Sequence, residues 1–437
     1  MATSRFNKVG ANLSWLICIR IFRMVVGVIV LGSVGRYLGP EQFGVLNYAI
    51  ALTAIFGVFA TLGMDGIVIR EMVNRPEQTP QILGTAFGLR LLGALVAMLL
   101  VYLAAVATRD GGAATLLALI VSLSFLPGSL EVMELWFQKN IQARYTVVAR
   151  VGATLLVSAA RLALVYYRAP LEYFAVMQIV DTLFGGLALA VAFKARGQRI
   201  TAWRFDRPVA MGLLRDSWPL IASGLLVSIY TRIEQVLVKN VLGDYSVGIY
   251  YSAVRITEVW GFIPSALLTS IYPILVAKRR DAPETYQLRL QTVFDLLTGF
   301  GYAIAVGMTF VGPFLIPLIF GEKYRSAIPV LVIQSWTAPI VCSAMTRAQV
   351  MLLENKTIYH TPTVIIGIAI NIPLALWLMS LIGTKGAACA VLIASFFSGY
   401  ISSLYFPALR TCGLHQTKAF LLPFRLRKVF RTIQQLR

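Results

Sequence analysis

The chain has 437 residues, of which 58% are hydrophobic and 13% are charged. Soluble domains average about 25% charged residues, so this composition excludes a soluble globular protein and makes lipid part of the solvent. The formal net charge of +20 would suit a nucleic-acid partner, but Lys and Arg also accumulate on the cytoplasmic loops of membrane proteins. We therefore expect an integral membrane protein without a nucleic-acid partner.

Apolar stretches of about 20 residues, the length that a helix needs to cross a bilayer, recur along the whole chain. Arg20 and Arg23 interrupt the first stretch, which favours a spanning helix over a cleaved signal peptide. The predicted spans are Leu13–Val34, Phe43–Leu62, Ile82–Ala107, Ala113–Phe137, Tyr145–Tyr166, Tyr173–Phe193, Ser217–Leu237, Val247–Pro273, Thr292–Ile319, Ala327–Met351, Thr363–Leu381 and Gly386–Phe406. This pattern predicts an all-α integral membrane protein of about 12 transmembrane helices.

Basic residues are unevenly distributed over the loops between these spans. One side carries 23 Lys and Arg residues and the other carries 7, which places both termini in the cytoplasm by the positive-inside rule. The longest connection is basic and lies at the middle of the chain. The predicted segments are an N-terminal six-helix bundle (1–193), a basic cytoplasmic linker (194–216), a C-terminal six-helix bundle (217–409) and a basic amphipathic cytoplasmic tail (410–437).

The tail is expected to form a helix that lies on the anionic inner leaflet, either as a simple anchor or as a binder of an anionic lipid head group. The two halves also share a local motif, since Leu38-Gly39 is followed by Gly44 and Leu242-Gly243 by Gly248. The two motifs are six spans apart, so a genuine repeat would be parallel and related by an axis along the membrane normal. Two parallel bundles that face a central cavity are typical of transporters that work by alternating access.

Nine arginines lie in or near the predicted spans, where a charge at the bilayer centre costs at least about 2.5 kcal/mol. They are Arg20, Arg23, Arg90, Arg150, Arg161, Arg215, Arg232, Arg255 and Arg347. One interpretation is a set of buried ion pairs with Asp65, Glu131, Glu134, Asp181, Glu234 and Glu258. The other is a cationic cavity for an anionic substrate, because the guanidinium fork binds phosphate oxygens in pairs and never deprotonates.

Several classes of enzyme are disfavoured by what the sequence lacks. It contains no Gly-Lys dipeptide and hence no Walker A loop, no Asp-x-Asp and no His-Glu-x-x-His motif. The four cysteines have no zinc spacing, and there are only two histidines. We expect neither a metal nor a cofactor. The predicted outer loops are short, which disfavours a membrane-embedded glycan polymerase.

Two stretches resemble a known family. Gly35–Gly44 (Gly-Arg-Tyr-Leu-Gly-Pro-Glu-Gln-Phe-Gly) resembles the first hairpin of polysaccharide-export flippases, the Wzx-type O-antigen and exopolysaccharide translocases. Phe320–Ala327 (Phe-Gly-Glu-Lys-Tyr-Arg-Ser-Ala) resembles the loop before their tenth span. That family belongs to the superfamily of multidrug and toxin extrusion antiporters and peptidoglycan-precursor flippases. The resemblance implies a V-shaped pair of six-helix bundles with a central cavity.

The resemblance further implies a function: translocation of undecaprenyl-diphosphate-linked oligosaccharides across the bacterial inner membrane, with a glycan polymerase and a chain-length regulator as partners. It implies cavity arginines at Arg20, Arg23 and Arg255, to which the charge pattern adds Arg232. Transport could be driven by the membrane potential or by returning H⁺ or Na⁺, for which the candidates are Asp65, Glu234 and Glu258. The alternatives are a multidrug antiporter of the same superfamily and a membrane-embedded glycan polymerase.

Overall fold

The computed structural model describes residues 2–108, 112–281 and 283–425, and over 2–21 it describes the helix without its side chains. These residues are helical nearly throughout and include no strand. The first part of the chain forms α1 (Ala2–Thr61), α2 (Asp65–Asn74), α3 (Thr79–Ala107), α4 (Gly112–Ser122), α5 (Phe125–Gly128), α6 (Val132–Lys139), α7 (Ala143–Tyr166), α8 (Leu171–Ala195) and α9 (Arg207–Leu242). The second part forms α10 (Asp244–Glu258), α11 (Phe262–Asp281), α12 (Pro283–Phe320), α13 (Ile328–Ser335), α14 (Ala338–Leu353), α15 (His360–Ile382), α16 (Thr384–Phe396), α17 (Ser402–Tyr405) and α18 (Arg410–Phe420).

The helices that are long and apolar enough to cross a membrane do not match the predicted spans one to one. Within the described residues nine helices are long and apolar enough to span, or ten if the bent pair Glu322–Ser335 and Ala338–Leu353 counts as one span. The first two predicted spans lie in α1, which consists of two helices joined at a kink at Gly39 and counts once. The eighth is divided between α10 and α11 by the 3-10 turn Val259–Gly261 and is not among those counted. The predicted count of twelve is therefore not confirmed.

The repeated Leu-Gly motif has one backbone conformation in both halves. Gly39 has φ 72° and ψ 169°, which interrupts α1 before Pro40, and Gly243 has φ 81° and ψ 176° directly before α10. This region of backbone space is essentially restricted to glycine. Gly321, in the second motif of the family resemblance, has φ 91° and ψ 169°. The motif is thus a helix-breaking turn that each half uses in the same way.

By contacts within the chain the protein divides into two compact units, Met1–Val236 and Leu237–Arg437. The first part of α9, which carries most of the seventh predicted span, therefore belongs to the first unit. The division into six plus six spans at 194–216 stays a prediction. Residues 426–437, which hold most of the predicted amphipathic tail, lie outside the described residues.

The first unit has an aromatic core at the end where the predicted linker leaves α8. The rings of Trp136 and Phe193 pack edge to face at 5.3 Å, and Trp203 of the linker contacts Phe193 at 6.0 Å. Gly84 on α3 allows the linker backbone to approach, since a Cβ atom there would lie 2.7 Å from the amide nitrogen of Arg204. The linker is therefore packed onto the unit, with α9 beginning inside it at Arg207.

In the second unit the long helix α12 packs against α14 and α18. Leu290, Phe294 and Leu297 of α12 are fully or almost fully buried in this core. The axes approach closely where Gly301 meets α14, because a Cβ atom on Gly301 would lie 2.6 Å from Cα of Pro339. This packing fixes the position of α18 against the part of α12 that lies next to the predicted cytoplasmic surface.

Candidate substrate site

Two of the predicted site residues form an exposed ion pair on α10. Nη1 of Arg255 lies 2.6 Å from Oε2 of Glu258, one helical turn further on. Both residues are in the last turn of α10, directly before the 3-10 turn Val259–Gly261 that separates it from α11. Broken helices of this kind form the substrate and ion sites of many transporters. The pair thus lies next to a break in the eighth predicted span.

The exposure of the Arg255–Glu258 pair indicates that water surrounds it. The side chains of Arg255 and Glu258 are 45% and 38% exposed. An ionised side chain inside a membrane is costly and normally faces the protein interior or a water-filled cavity. The exposed part of the pair is therefore expected to face water rather than lipid. Tyr250 and Tyr251, one turn earlier on the same helix, are buried and pack this part of α10 into its unit.

The predicted site residues of α9 are two positions apart and differ in burial. Arg232 is half-buried and Glu234 is 6% exposed. Two positions along a helix correspond to about 200° of rotation, so the two side chains leave α9 on opposite faces. Their roles in substrate binding and in ion coupling stay predictions.

The arginines of the first span are only partly described. Arg20 lies in α1, and its side chain falls outside the described part of the chain. Arg23 is half-buried on the same helix. Residues three apart share a helix face, which is the geometry that a two-arginine site on α1 would use. A joint role in substrate binding stays a prediction.

Asp65 forms an ion pair with Arg90. Its Oδ1 lies 2.5 Å from Nη2 of Arg90, and the Arg90 side chain is only 4% exposed. Asp65 is the first residue of α2 and remains 56% exposed. Arg90 therefore points into the protein, and its guanidinium depends on Asp65 for charge compensation. An ion that used Asp65 would have to compete with this contact.

Other arginines of the first unit are paired in the same manner. Nη1 of Arg150 lies 3.2 Å from Glu131, and the same guanidinium donates two hydrogen bonds to Glu134. Nη2 of Arg161 lies 3.6 Å from Asp181. Several of the carboxylates proposed as partners contact an arginine, among them Asp65, Glu131, Glu134, Asp181 and Glu258. The ion-pair interpretation thus holds for several of the arginines, and a cationic cavity can involve only a part of the set.

Arg347 is held in a way that the sequence did not indicate. It is 5% exposed on α14, and its Nη1 lies 3.0 Å from the carbonyl oxygen of Ser398 and 2.9 Å from the hydroxyl oxygens of Ser402 and Ser403. The segment Phe397–Ile401 is a π-helix, whose wider turn frees carbonyl groups from the regular pattern. Arg347 therefore ties α14 to this irregular turn. The only sequence signal was the concentration of serines after Phe397.

Metal-ligating side chains do not cluster in the described residues, where no group of three or more His, Cys, Asp or Glu residues could hold an ion. The three cysteines described there, Cys342, Cys389 and Cys412, are free thiols.

Comparisons with known proteins give the family and the fold. The model of a family described as polysaccharide biosynthesis protein matches residues 34–329. The lipopolysaccharide biosynthesis protein WzxC of Escherichia coli (strain K12) is 22% identical over 436 residues, which cover 92% of this chain and 85% of that protein. An inward-facing multidrug resistance MATE family transporter of the MOP superfamily is similar in structure, with a TM-score of 0.70, 13% identity, and coverage of 92% of this chain and 98% of that one.

The lipid II flippase MurJ in an inward closed conformation is equally similar, with a TM-score of 0.70 at 14% identity over 96% of this chain and 95% of that chain. These likenesses confirm the predicted fold, an all-α membrane protein of the multidrug-and-toxin-extrusion type.

Proposed function

Because the chain belongs to the polysaccharide biosynthesis protein family, as its motifs predicted, we propose that it is a flippase for lipid-linked oligosaccharides. Its substrate would be an oligosaccharide on undecaprenyl diphosphate, carried from the cytoplasmic to the outer leaflet of the bacterial inner membrane. The relative WzxC is named for lipopolysaccharide biosynthesis, and the structural neighbour MurJ is named as a flippase for another lipid-linked precursor.

The observation that carries this proposal is the exposed Arg255–Glu258 pair beside the broken eighth span. A guanidinium offers paired N–H donors to phosphate oxygens and stays charged at every physiological pH. A diphosphate that approaches Arg255 would replace Glu258 as its acceptor. Arg20, Arg23 and Arg232 are the further basic residues that we propose for the same cavity.

The proposed cycle is alternating access between the two halves of the chain. The diphosphate binds from the cytoplasmic side, the sugar enters a hydrated cavity, and the polyprenyl tail stays in lipid. A membrane potential that is negative inside would favour outward movement of the anion by about 2.3 kcal/mol per charge for each 100 mV. H⁺ or Na⁺ is the alternative driving ion, with Asp65, Glu234 and Glu258 as predicted acceptors.

Of these three carboxylates, Asp65 already contacts the buried Arg90, so an ion that used it would have to compete with that contact. We propose that both termini lie in the cytoplasm. A glycan polymerase and a chain-length regulator would use the product on the outer face.

The test is the position of the lipid-linked oligosaccharide in a deletion strain. We expect unpolymerised units to accumulate on the cytoplasmic face of the inner membrane and to disappear when the gene is restored. Accumulation of single units on the outer face would instead indicate a polymerase or a later step. No change in either pool would favour a multidrug antiporter of the same fold.

The cationic cavity needs a separate test. We expect the triple variant in which Arg20, Arg23 and Arg255 are replaced by Ala to reach the membrane but to fail to export. Normal export by this variant would contradict the cavity.

A further inference from the structure

A buried carboxylate on α12 differs from the ion-paired carboxylates described above. Asp295 is 6% exposed, about one turn inside the predicted cytoplasmic end of the ninth span. Its Oδ1 accepts a hydrogen bond of 2.7 Å from Nε2 of Gln291. Among the residues that the structure describes, Asp295 contacts no Lys or Arg side chain within ion-pair distance. The surroundings of Asp295 are therefore polar and largely neutral.

Gln291 joins this carboxylate to His415 on α18. Its Nε2 also donates to the backbone carbonyl of His415 at 3.2 Å, and its Oε1 lies 2.6 Å from Nδ1 of the same residue. Since Nε2 faces two acceptor oxygens, the orientation of the Gln291 amide is fixed while Asp295 is ionised. Oε1 must then accept, so Nδ1 of His415 carries the hydrogen atom. The other ring nitrogen, Nε2, is then an acceptor, and the side-chain amide of Gln287, 2.9 Å away, supplies its donor in one of the two amide orientations. A continuous set of hydrogen bonds thus runs from His415 to Asp295.

His415 itself is neutral in this arrangement. It is 8% exposed and its ring stacks on Phe294 with centroids 5.8 Å apart and planes at 5°. Burial lowers the pKa of His415 to about 4, and the positive charge of Lys418 acts in the same direction against the opposing effect of Glu354. His415 therefore serves as a hydrogen-bond donor and not as a positive charge at neutral pH.

The basic residues that act on Asp295 do so from a distance. They are Arg425 and Lys418, and neither forms an ion pair with its carboxylate. The other titratable or charged groups that face this cluster come from α11, α12, α14 and α18: Arg279, Tyr286, Glu354 and Cys412. Asp181 instead lies 3.6 Å from Nη2 of Arg161, and buried charges that lack such a partner are the ones that neutralise.

We propose that Asp295 is a proton-binding site and that Gln291 is the positioning residue that connects it to His415. Protonation would turn Asp295 from a pure acceptor into a hydrogen-bond donor, so the Gln291 amide would no longer be held in one orientation. The hydrogen bonds between α12 and α18 would change with it. The proton site stands on this geometry alone, and its coupling to transport rests on the proposed function.

The test of the site is infrared difference spectroscopy of the purified full chain, recorded below and above neutral pH. A carboxyl group that exchanges a proton between these two pH values gives a difference band in the C=O stretching region. We expect the band in the natural chain and in Asp181→Asn, whose carboxylate is paired with Arg161, and its loss in Asp295→Asn. In Gln291→Leu the band should persist at a shifted frequency, because Oδ1 loses its donor. A band of unchanged intensity in Asp295→Asn would overturn the site, and so would the absence of any band in the natural chain.

Coupling is tested in proteoliposomes that contain labelled lipid-linked oligosaccharide. We expect flipping by the natural chain and by Asp181→Asn to respond to an imposed pH gradient, and flipping by Asp295→Asn not to respond. An unchanged response in Asp295→Asn would refute the coupling. Absence of flipping by the natural chain would refute the proposed function, and the infrared result would still decide the proton site.

Discussion

Replacement of Arg255 separates a substrate-binding role from a purely structural ion pair. Two charge-assisted hydrogen bonds to a diphosphate, each worth about 1.5–3 kcal/mol, would be lost in Arg255→Ala. With partial replacement by water we expect a loss of about 3 kcal/mol. A change of 1.4 kcal/mol corresponds to a factor of ten, so the rate of flipping should fall by about a hundredfold. Arg255→Lys keeps the charge but loses the planar guanidinium fork, so its flipping rate should lie between those of the natural chain and Arg255→Ala.

Replacement of Glu258, the partner of Arg255, should affect flipping differently from replacement of Arg255. An ion pair with both side chains this exposed contributes about 0–1 kcal/mol, so Glu258→Gln should fold normally. It also frees Arg255 for the substrate, and flipping should be retained or increased. The matched control is Arg325→Ala, which removes the arginine of another pair with the same three-residue spacing. This pair lies in a predicted outer loop, where the Arg325 and Glu322 side chains are 75% and 73% exposed.

The assay is the initial rate at which labelled lipid-linked oligosaccharide changes leaflet in proteoliposomes, normalised to folded protein. Thermal unfolding of each variant shows whether a loss of rate reflects a loss of structure. Equal losses in Arg255→Ala and Glu258→Gln, each with a lower melting temperature, would show that the pair is structural and would refute a substrate-binding role.

Three further predictions concern stability. Gly386→Ala should lower the melting temperature, since its Cβ atom would lie 2.2 Å from the carbonyl oxygen of Leu378 and α15 and α16 would have to separate; Gly152→Ala, where nothing lies within 4 Å, should not. Arg347→Met should cost about 1–3 kcal/mol in chemical unfolding, because acceptors in the π-helix lose their buried donor; a cost near zero would contradict this role. The buried, neutral His415 makes the folded state lose stability as pH falls from the ordinary histidine value towards about 4, by about 3 kcal/mol in total. This slope should be absent in His415→Gln, and an equal slope in both chains would show that other groups cause it.

The sequence by itself determined the membrane character of the chain and most span positions. Hydropathy is a local property, so the apolar stretches at 145–166 and 173–193 coincide closely with α7 and α8. Several helices extend well beyond their apolar stretches, as α9 and α12 do at their N-termini, because polar flanks also form helix when they pack against the rest of a unit. The Leu-Gly motifs were recognisable because only glycine tolerates the turn they form.

The partner of each charge was decided only by the tertiary structure. The sequence shows that arginines and carboxylates occur in the spans, but not that Arg90 contacts Asp65 or that Arg347 faces the carbonyl groups of a π-helix. Asp295 was not among the predicted acceptors, because nothing in its neighbouring residues shows that α18 covers it. Burial makes an ionised carboxylate costly, and the group nearest to it determines whether the carboxylate forms an ion pair or binds a proton. That neighbour comes from a distant part of the chain, so only the packed helices reveal it.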